Sequence, residues 1–262
     1  VCRGRGVCFM GGWVARGASR GCRRRAICGC GNYPCVVAVA RAAGVEVTNT
    51  PGSVTDVTAD IALTLIRMSA RRASEGERML RKGVWQGWHP TQMLGQHVTG
   101  KTVGIVGLGR IGAAIGQRCP FGFGMKVLYT ARSDNDPGFP ASRCANQSEM
   151  AAQVDFLVVA VPGGADTRHM VDEAVLAAMQ PHAHLINIAR GEIVKEAALI
   201  TALQEQRIAG AGLDVYEFEP EVPEVLRALD RVTLLPHPAT ATAQGRTNMG
   251  PIVLDPFPLL HA

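Results

Sequence analysis

Three positions in the second half of this 262-residue chain could do chemistry together: Arg190 followed by Gly191, Glu219 followed by Pro220, and His237 between two prolines. A planar guanidinium grips a carboxylate through two parallel hydrogen bonds, which a lysine could not reproduce. A carboxylate beside an imidazole favours the protonated ring, the form that can give up a proton. A cation, a carboxylate and an imidazole converging on one crevice could bind a 2-keto carboxylate and protonate its carbonyl. His89, His97, His169, His182, His184 and His261 have no comparable context.

A second candidate site lies upstream. The run from Thr102 to Val106 has the length and β-branched content of a buried strand, and Ile111, Ala114 and Ile115 then recur at helical spacing as far as Pro120. Between them stand Gly107, Gly109 and Gly112. The first allows a tight turn, the second a close approach of backbone to a pyrophosphate, and the third close packing of helix on strand. The free N–H groups of the new helix complete an anion site. The next strand, over 124–129, is followed by Thr130, Ala131, Arg132 and Ser133 and by no acid that could bind a ribose 2′-hydroxyl. Arg132 with Ser133 would instead pair with a 2′-phosphate, so the reading leans to NADPH. Arginines in turns are also commonly solvated, and NADH stays open.

The elements that must position these residues alternate. A short helix over 36–43 and a strand over 45–48 precede a turn at Asn49-Thr50-Pro51-Gly52. A long helix then starts at Ser53, with Val57, Ile61, Leu65 and Met68 on one face and Arg71, Arg72, Glu75 and Arg78 in a polar second half. Its apolar face is longer than one short domain needs, which points to a homodimer. Further strands are expected over 156–161, 185–188, 209–213 and 232–235, with helices over 174–179 and 196–204. Such alternation implies an α/β fold, a parallel sheet covered on both faces, with ligands gathering at the C-terminal ends of its strands.

Charge is unevenly distributed. The net charge of +5 comes from the first 30 residues, which hold seven arginines and no acid, while the rest of the chain carries 20 basic against 22 acidic side chains. No basic stripe remains on the body, so no nucleic-acid partner is expected. No apolar run is long enough for a membrane span. Six of eight cysteines fall before residue 36, with no paired C-x-x-C knuckles and no histidine nearby, so no metal is expected. Residues 1–30 read as non-native sequence without regular structure, such as out-of-frame translation. The sparse Cys119 and Cys144 suit a reducing cytoplasm.

The residues from about Val37 to about Asp255 resemble the D-isomer-specific 2-hydroxyacid dehydrogenases, closest to the glyoxylate/hydroxypyruvate reductases. The likeness rests on Asn49 to Gly52, Gly100 to Gly112, Asn187-Ile188-Ala189-Arg190-Gly191, Ala211 to Val215 with Glu219-Pro220, and Pro236-His237. Val161-Pro162-Gly163-Gly164 and the acid-free 129–133 stretch point to the reductase subgroup. The resemblance implies a Rossmann-type doubly wound parallel sheet with a smaller, truncated flavodoxin-like substrate domain. It implies reduction of glyoxylate or hydroxypyruvate to glycolate or D-glycerate. Arg190 would hold the substrate carboxylate and carbonyl, His237 would give the proton, and Glu219 would orient and charge the histidine. The cofactor, NADPH or else NADH, would be lined by Gly107, Gly109, Arg110, Ile111, Gly112, Ala131, Arg132, Ser133, Val161, Pro162, Thr167, Ile188, Ala189 and Asp214, the last on the nicotinamide amide.

Domain boundaries follow: 1–52 for the remnant of the substrate domain, 53–236 for the nucleotide-binding domain, and 237–262 for the return to the first. The family's N-terminal glycine loop, which holds the substrate carboxylate, is only faintly echoed at Gly29-Cys30-Gly31-Asn32-Tyr33, and Pro251, Pro256 and Pro258 should interrupt the returning helix. An NADH-linked dehydrogenase of other specificity, a nucleotide-binding regulatory module and a catalytically impaired remnant are the competing readings.

Overall fold

The computed structural model of the protein describes residues 7–10, 24–27, 46–49, 52–133 and 136–254. The chain forms two compact units, Val1–Val57 with Thr240–Ala262 and Thr58–Ala239. In the smaller unit, β1 (Val7–Met10), β2 (Arg24–Ile27) and β3 (Glu46–Asn49) pair in that order, all parallel. Two of these strands lie in the stretch expected to lack regular structure. Its arginine and glycine content concealed two four-residue runs that a parallel partner can stabilise. The expected helix over 36–43 and the faint glycine loop at 29–33 lie outside the described residues.

The expected long helix is two helices. α1 (Thr55–Ala70) ends before Arg72, which takes a left-handed backbone (φ 51°), and α2 (Ala73–Arg81) starts directly after it. Arg72 holds Glu75 by two hydrogen bonds of 2.6 and 2.8 Å, which stabilises the break. The buried face of α1 is also shifted from the expected stripe: Thr58, Ala59, Ala62, Leu65, Ile66, Ser69 and Ala70. Small residues let the helix lie close to the sheet, with Leu65 against Gly212. Its apolar face is therefore used by the chain's own core.

The larger unit is built on a seven-stranded sheet. β4 (Thr102–Val106), α3 (Arg110–Phe123), β5 (Lys126–Thr130) and β6 (Ser142–Arg143) come first, followed by α4 (Gln147–Ala151), β7 (Phe156–Val159), α5 (Glu173–Ala178) and β8 (His184–Asn187). α6 (Glu196–Gln204), β9 (Gly210–Leu213), α7 (Glu224–Ala228) and β10 (Val232–Leu234) complete it. All pairs are parallel, in the order β10-β9-β8-β7-β4-β5-β6. The order reverses between β4 and β7, and ligands of such sheets bind outside the strand ends at that switch point.

Period-2 alternation along the central strands feeds two cores. Val103, Ile105, Phe156, Val158 and Ile186 point to the face covered by α1 and α3, whereas Val106, Leu157, Val159 and Leu185 point to the face covered by α4 to α6. α3 does not stop at Pro120. The proline falls in the last turn, where it costs few ladder bonds, and Gly124 ends the helix in a left-handed conformation (φ 60°) with its N–H on the Pro120 carbonyl. The final helix, α8 (Ala243–Leu254), likewise runs through Pro251. A single proline removes one N–H and bends a helix without obliging it to end.

Candidate active site

The glycine turn after β4 forms for steric reasons. Gly107 has φ 96°, and a Cβ there would lie 2.4 Å from a Val161 methyl; one on Gly112 would lie 2.0 Å from the Gly107 carbonyl oxygen. A Cβ on Gly109, by contrast, meets nothing within 4 Å. Gly109 is the N-cap of the fourteen-residue α3 and offers no side chain to its first N–H groups. The turn therefore presents an open helix N-terminus, a ready anion site. Arg110 is exposed at the start of that helix and Ile111 is half-buried.

The Gly107 N–H donates to the Thr130 carbonyl at 2.9 Å, which ties the turn to the end of β5. Ala131, Arg132 and Ser133 follow immediately, with the last two exposed. On the other side of β4, Val161 and Pro162 leave the end of β7. Thr167 Oγ1 donates to the Pro162 carbonyl at 2.7 Å and closes that loop.

Beyond β8, Ile188 and Ala189 are buried and Arg190 is half-buried. Asn187, a buried residue for which the sequence suggested no role, holds this turn: its Oδ1 accepts from the Ala189 N–H at 3.1 Å and its Nδ2 donates to the Arg190 carbonyl at 3.0 Å. Arg190 Nη1 in turn donates to the Ala189 carbonyl. After β9, Glu219 Oε1 accepts from the Tyr216 N–H at 3.0 Å, and Tyr216 Oη donates to the Leu235 carbonyl at 2.8 Å. That tyrosine joins the glutamate loop to the histidine loop, also unforeseen.

His237 Nδ1 stands 2.9 Å from Glu219 Oε2. The histidine adopts a left-handed backbone (φ 56°), uncommon for a residue with a Cβ and of the kind that gathers at functional sites. Partial burial pushes the Glu219 carboxyl up, but the His237 hydrogen bond, the Tyr216 amide and the charges of His237 and Arg190 together hold it below its ordinary value. Arg190, Glu219 and His237 thus share one electrostatic neighbourhood. Asp214, at the end of β9, is completely buried; Oδ2 accepts from the Ala239 N–H at 3.2 Å, and Oδ1 has no hydrogen-bond partner among the described residues. Burial pushes its carboxyl up to about 6, against the smaller lowering effects of the Ala239 amide and His237.

A further acidic pair braces these loops. Glu217 accepts from the Glu196 N–H at 3.2 Å, Glu196 accepts from the Glu217 N–H at 3.3 Å, and His169 Nε2 lies 2.8 Å from Glu217 Oε1. The Arg190 loop and the Glu219 loop are thereby fastened to one another. The open N-terminus of α3 and the orphaned oxygen of Asp214 fit a dinucleotide, with a phosphate at the first and a carboxamide donor at the second.

Residues 63–239 match the NAD binding domain of the D-isomer specific 2-hydroxyacid dehydrogenases. The glyoxylate reductase of Thermococcus onnurineus is 45% identical over 217 residues, which are 80% of this chain and 64% of that protein. The chain thus spans about 64% of the length of that relative. Among solved structures, the NADPH-dependent glyoxylate/hydroxypyruvate reductase of Sinorhizobium meliloti in complex with NADP and malonate is 42% identical, with a TM-score of 0.81 over 89% of this chain and 73% of that one. The apo D-mandelate dehydrogenase of Rhodotorula graminis is 31% identical, with a TM-score of 0.79 over 89% and 70%.

Proposed function

Since the chain belongs to the D-isomer specific 2-hydroxyacid dehydrogenases, we propose that it reduces small 2-keto acids, glyoxylate and hydroxypyruvate, to glycolate and D-glycerate. The observation that carries this reading is the 2.9 Å contact between His237 Nδ1 and Glu219 Oε2, within the electrostatic reach of Arg190. Glu219, held ionised, favours the protonated imidazole and fixes its ring. With Nδ1 facing the carboxylate, Nε2 is the nitrogen from which the proton goes to the carbonyl oxygen. Arg190 grips the substrate carboxylate and sets the keto carbon in place. The nicotinamide supplies a hydride to that carbon when bound. General acid catalysis of this kind is worth about 10²- to 10⁴-fold. In the oxidative direction the same histidine takes the proton back.

The cofactor is NADPH in this reading, because Arg132 and Ser133 stand where an acid would favour NADH. Gly107, Gly109 and Gly112 with Arg110 and Ile111 hold the pyrophosphate, Val161, Pro162, Thr167, Ile188 and Ala189 line the remainder, and Asp214 Oδ1 accepts from the carboxamide. The enzyme acts as a cytoplasmic homodimer. In place of the α1 face, the exposed Leu80, Val84, Trp85, Trp88 and Leu94, all within fifteen residues, support a subunit contact.

Fluorescence titration with NADPH and NADH, followed by assays with glyoxylate, hydroxypyruvate and D-mandelate, tests the proposal. NADPH should bind the more tightly and the two small keto acids should be reduced. Turnover confined to mandelate would transfer the chain to another specificity. Binding without turnover of any acid would favour a regulatory module or remnant. Sedimentation of a folded monomer at micromolar concentration would rule out the dimer.

A further inference from the structure

Taking the cofactor to be NADPH, as proposed above, we infer that Arg143 is a second cation for its 2′-phosphate, acting beside Arg132. β6, the two-residue edge strand, pairs in parallel with β5 so that Tyr129 stands opposite Arg143. Arg143 therefore lies at the C-terminal end of the sheet, one strand outward from the turn that carries Ala131, Arg132 and Ser133. Its position is set from below: the neighbouring Cys144 is buried and its N–H donates to the Tyr129 carbonyl at 2.9 Å.

The guanidinium reaches back across the strand pair. Arg143 Nη2 donates to the Ala131 carbonyl at 2.8 Å, so its charge is held over the residue directly before Arg132. A guanidinium has five N–H donors in a planar fork, and the bond to the Ala131 carbonyl is one of the interactions that orient the fork of Arg143. Residues 131–133 hold no carboxylate; Asp134 and Asp136 follow them in the sequence, and Asp136 Oδ1 accepts from the Gly138 N–H at 2.9 Å. A phosphate dianion binds best where two guanidiniums approach it from different backbone segments, since each can supply two parallel bonds. Arg143 carries no motif in the sequence and stands eleven residues from Arg132; strand pairing alone brings it to the turn.

The test uses the chain without cofactor and two probes that differ only by the 2′-phosphate, 2′,5′-ADP and 5′-AMP, measured by calorimetry. Arg143→Gln keeps an N–H for the Ala131 carbonyl and removes the charge. It should weaken 2′,5′-ADP about tenfold, the worth of a charge-assisted hydrogen bond, while 5′-AMP affinity stays within about twofold. Arg143→Ala should do the same, with unchanged 5′-AMP binding as the sign that the turn is intact. If Arg132→Ala weakens 2′,5′-ADP and both Arg143 variants leave it unchanged, Arg143 has no such role and the NADPH reading stands. Equal losses for both probes in the Arg143 variants would also overturn the inference. If the unaltered chain binds the two probes equally, the NADPH reading itself fails and takes this inference with it.

Discussion

The two ends of the large sheet treat their polar groups in opposite ways. At the N-terminal ends of the strands, Asp155 is saturated: Oδ1 takes Gln96, Lys101 and His182, each at 3.2 Å, and Oδ2 takes the Thr102 N–H at 2.8 Å. His184, at the start of β8, stacks on Phe156 and shares a 2.7 Å hydrogen bond with Ser69. A cleft of about 840 Å³ opens beside these residues, at the opposite end of the sheet from the proposed site. At the C-terminal ends, Asp214 is buried with one oxygen unpartnered, α3 opens without a side-chain cap, and His237 bends into the left-handed region. Buried polar groups are ordinarily satisfied, and the end that departs from this rule is the one where the cofactor and substrate are proposed to bind.

The comparison can be broken most directly by removing His237, the proton donor in the proposed function. His237→Ala should lower turnover of the reactive keto acid about 10²- to 10⁴-fold and leave cofactor affinity nearly unchanged. A loss of affinity equal to the loss of turnover would mean that the histidine shapes the site and does not act in it.

The two ends should also respond to pH with opposite signs. Asp214 is raised to about 6 in the folded chain from an ordinary value of 3.8. The native state therefore binds this proton more tightly, and stability falls as pH rises from about 4 to about 6. His184 is lowered by burial, with His182 adding to it, to about 4 from 6.5. Here the native state binds the proton less tightly, and stability falls as pH drops from about 6.5 to about 4. Each effect is at most on the order of 3 kcal/mol. Denaturant melts across pH 4–8 should lose the first slope in Asp214→Asn and the second in His184→Asn. If either slope persists in its variant, the assignment of that group is wrong.

Smaller changes sharpen the same contrast. Gly112→Ala forces a methyl onto the Gly107 carbonyl oxygen, which should cost about 2 kcal/mol of stability together with nucleotide affinity; urea titration and nicotinamide fluorescence would read both. Ser69→Ala leaves His184 Nδ1 without its partner and should cost about 1 kcal/mol with no effect on cofactor binding. Impaired binding in the serine variant would show that the two ends are coupled.

Much of the fold could be read along the chain. The runs at 102–106 and 196–204 match β4 and α6, and the glycine spacing marked the turn between β4 and α3. The errors share a cause. Local pattern alone ends the helix at Pro120, interrupts the last one at Pro251 and makes one helix of 53–78, because it cannot weigh a break against the packing on either side of it. Arginine content likewise hid β1 and β2. At the proposed site, Arg190, Glu219 and His237 stand out by residue type, and the structure brings Glu219 to His237 within the electrostatic reach of Arg190; Asn187 and Tyr216 do not stand out, since both act through backbone carbonyls and amides whose proximity no motif encodes.

The sequence by itself determined which segments alternate as strand and helix, where the chain must turn without a Cβ, and which side chains are of a type that could carry chemistry. Those properties depend on neighbours within a few residues, through sterics and hydrophobic period. Only the tertiary structure decided which of them meet. Glu219 and His237 lie 18 residues apart, Asp214 and Ala239 25, and Ser69 and His184 115. The orphaned oxygen of Asp214 and the reach of Arg143 to Ala131 exist only because parallel strands line up their ends, and burial and charge take their effect from neighbours that the linear chain does not adjoin.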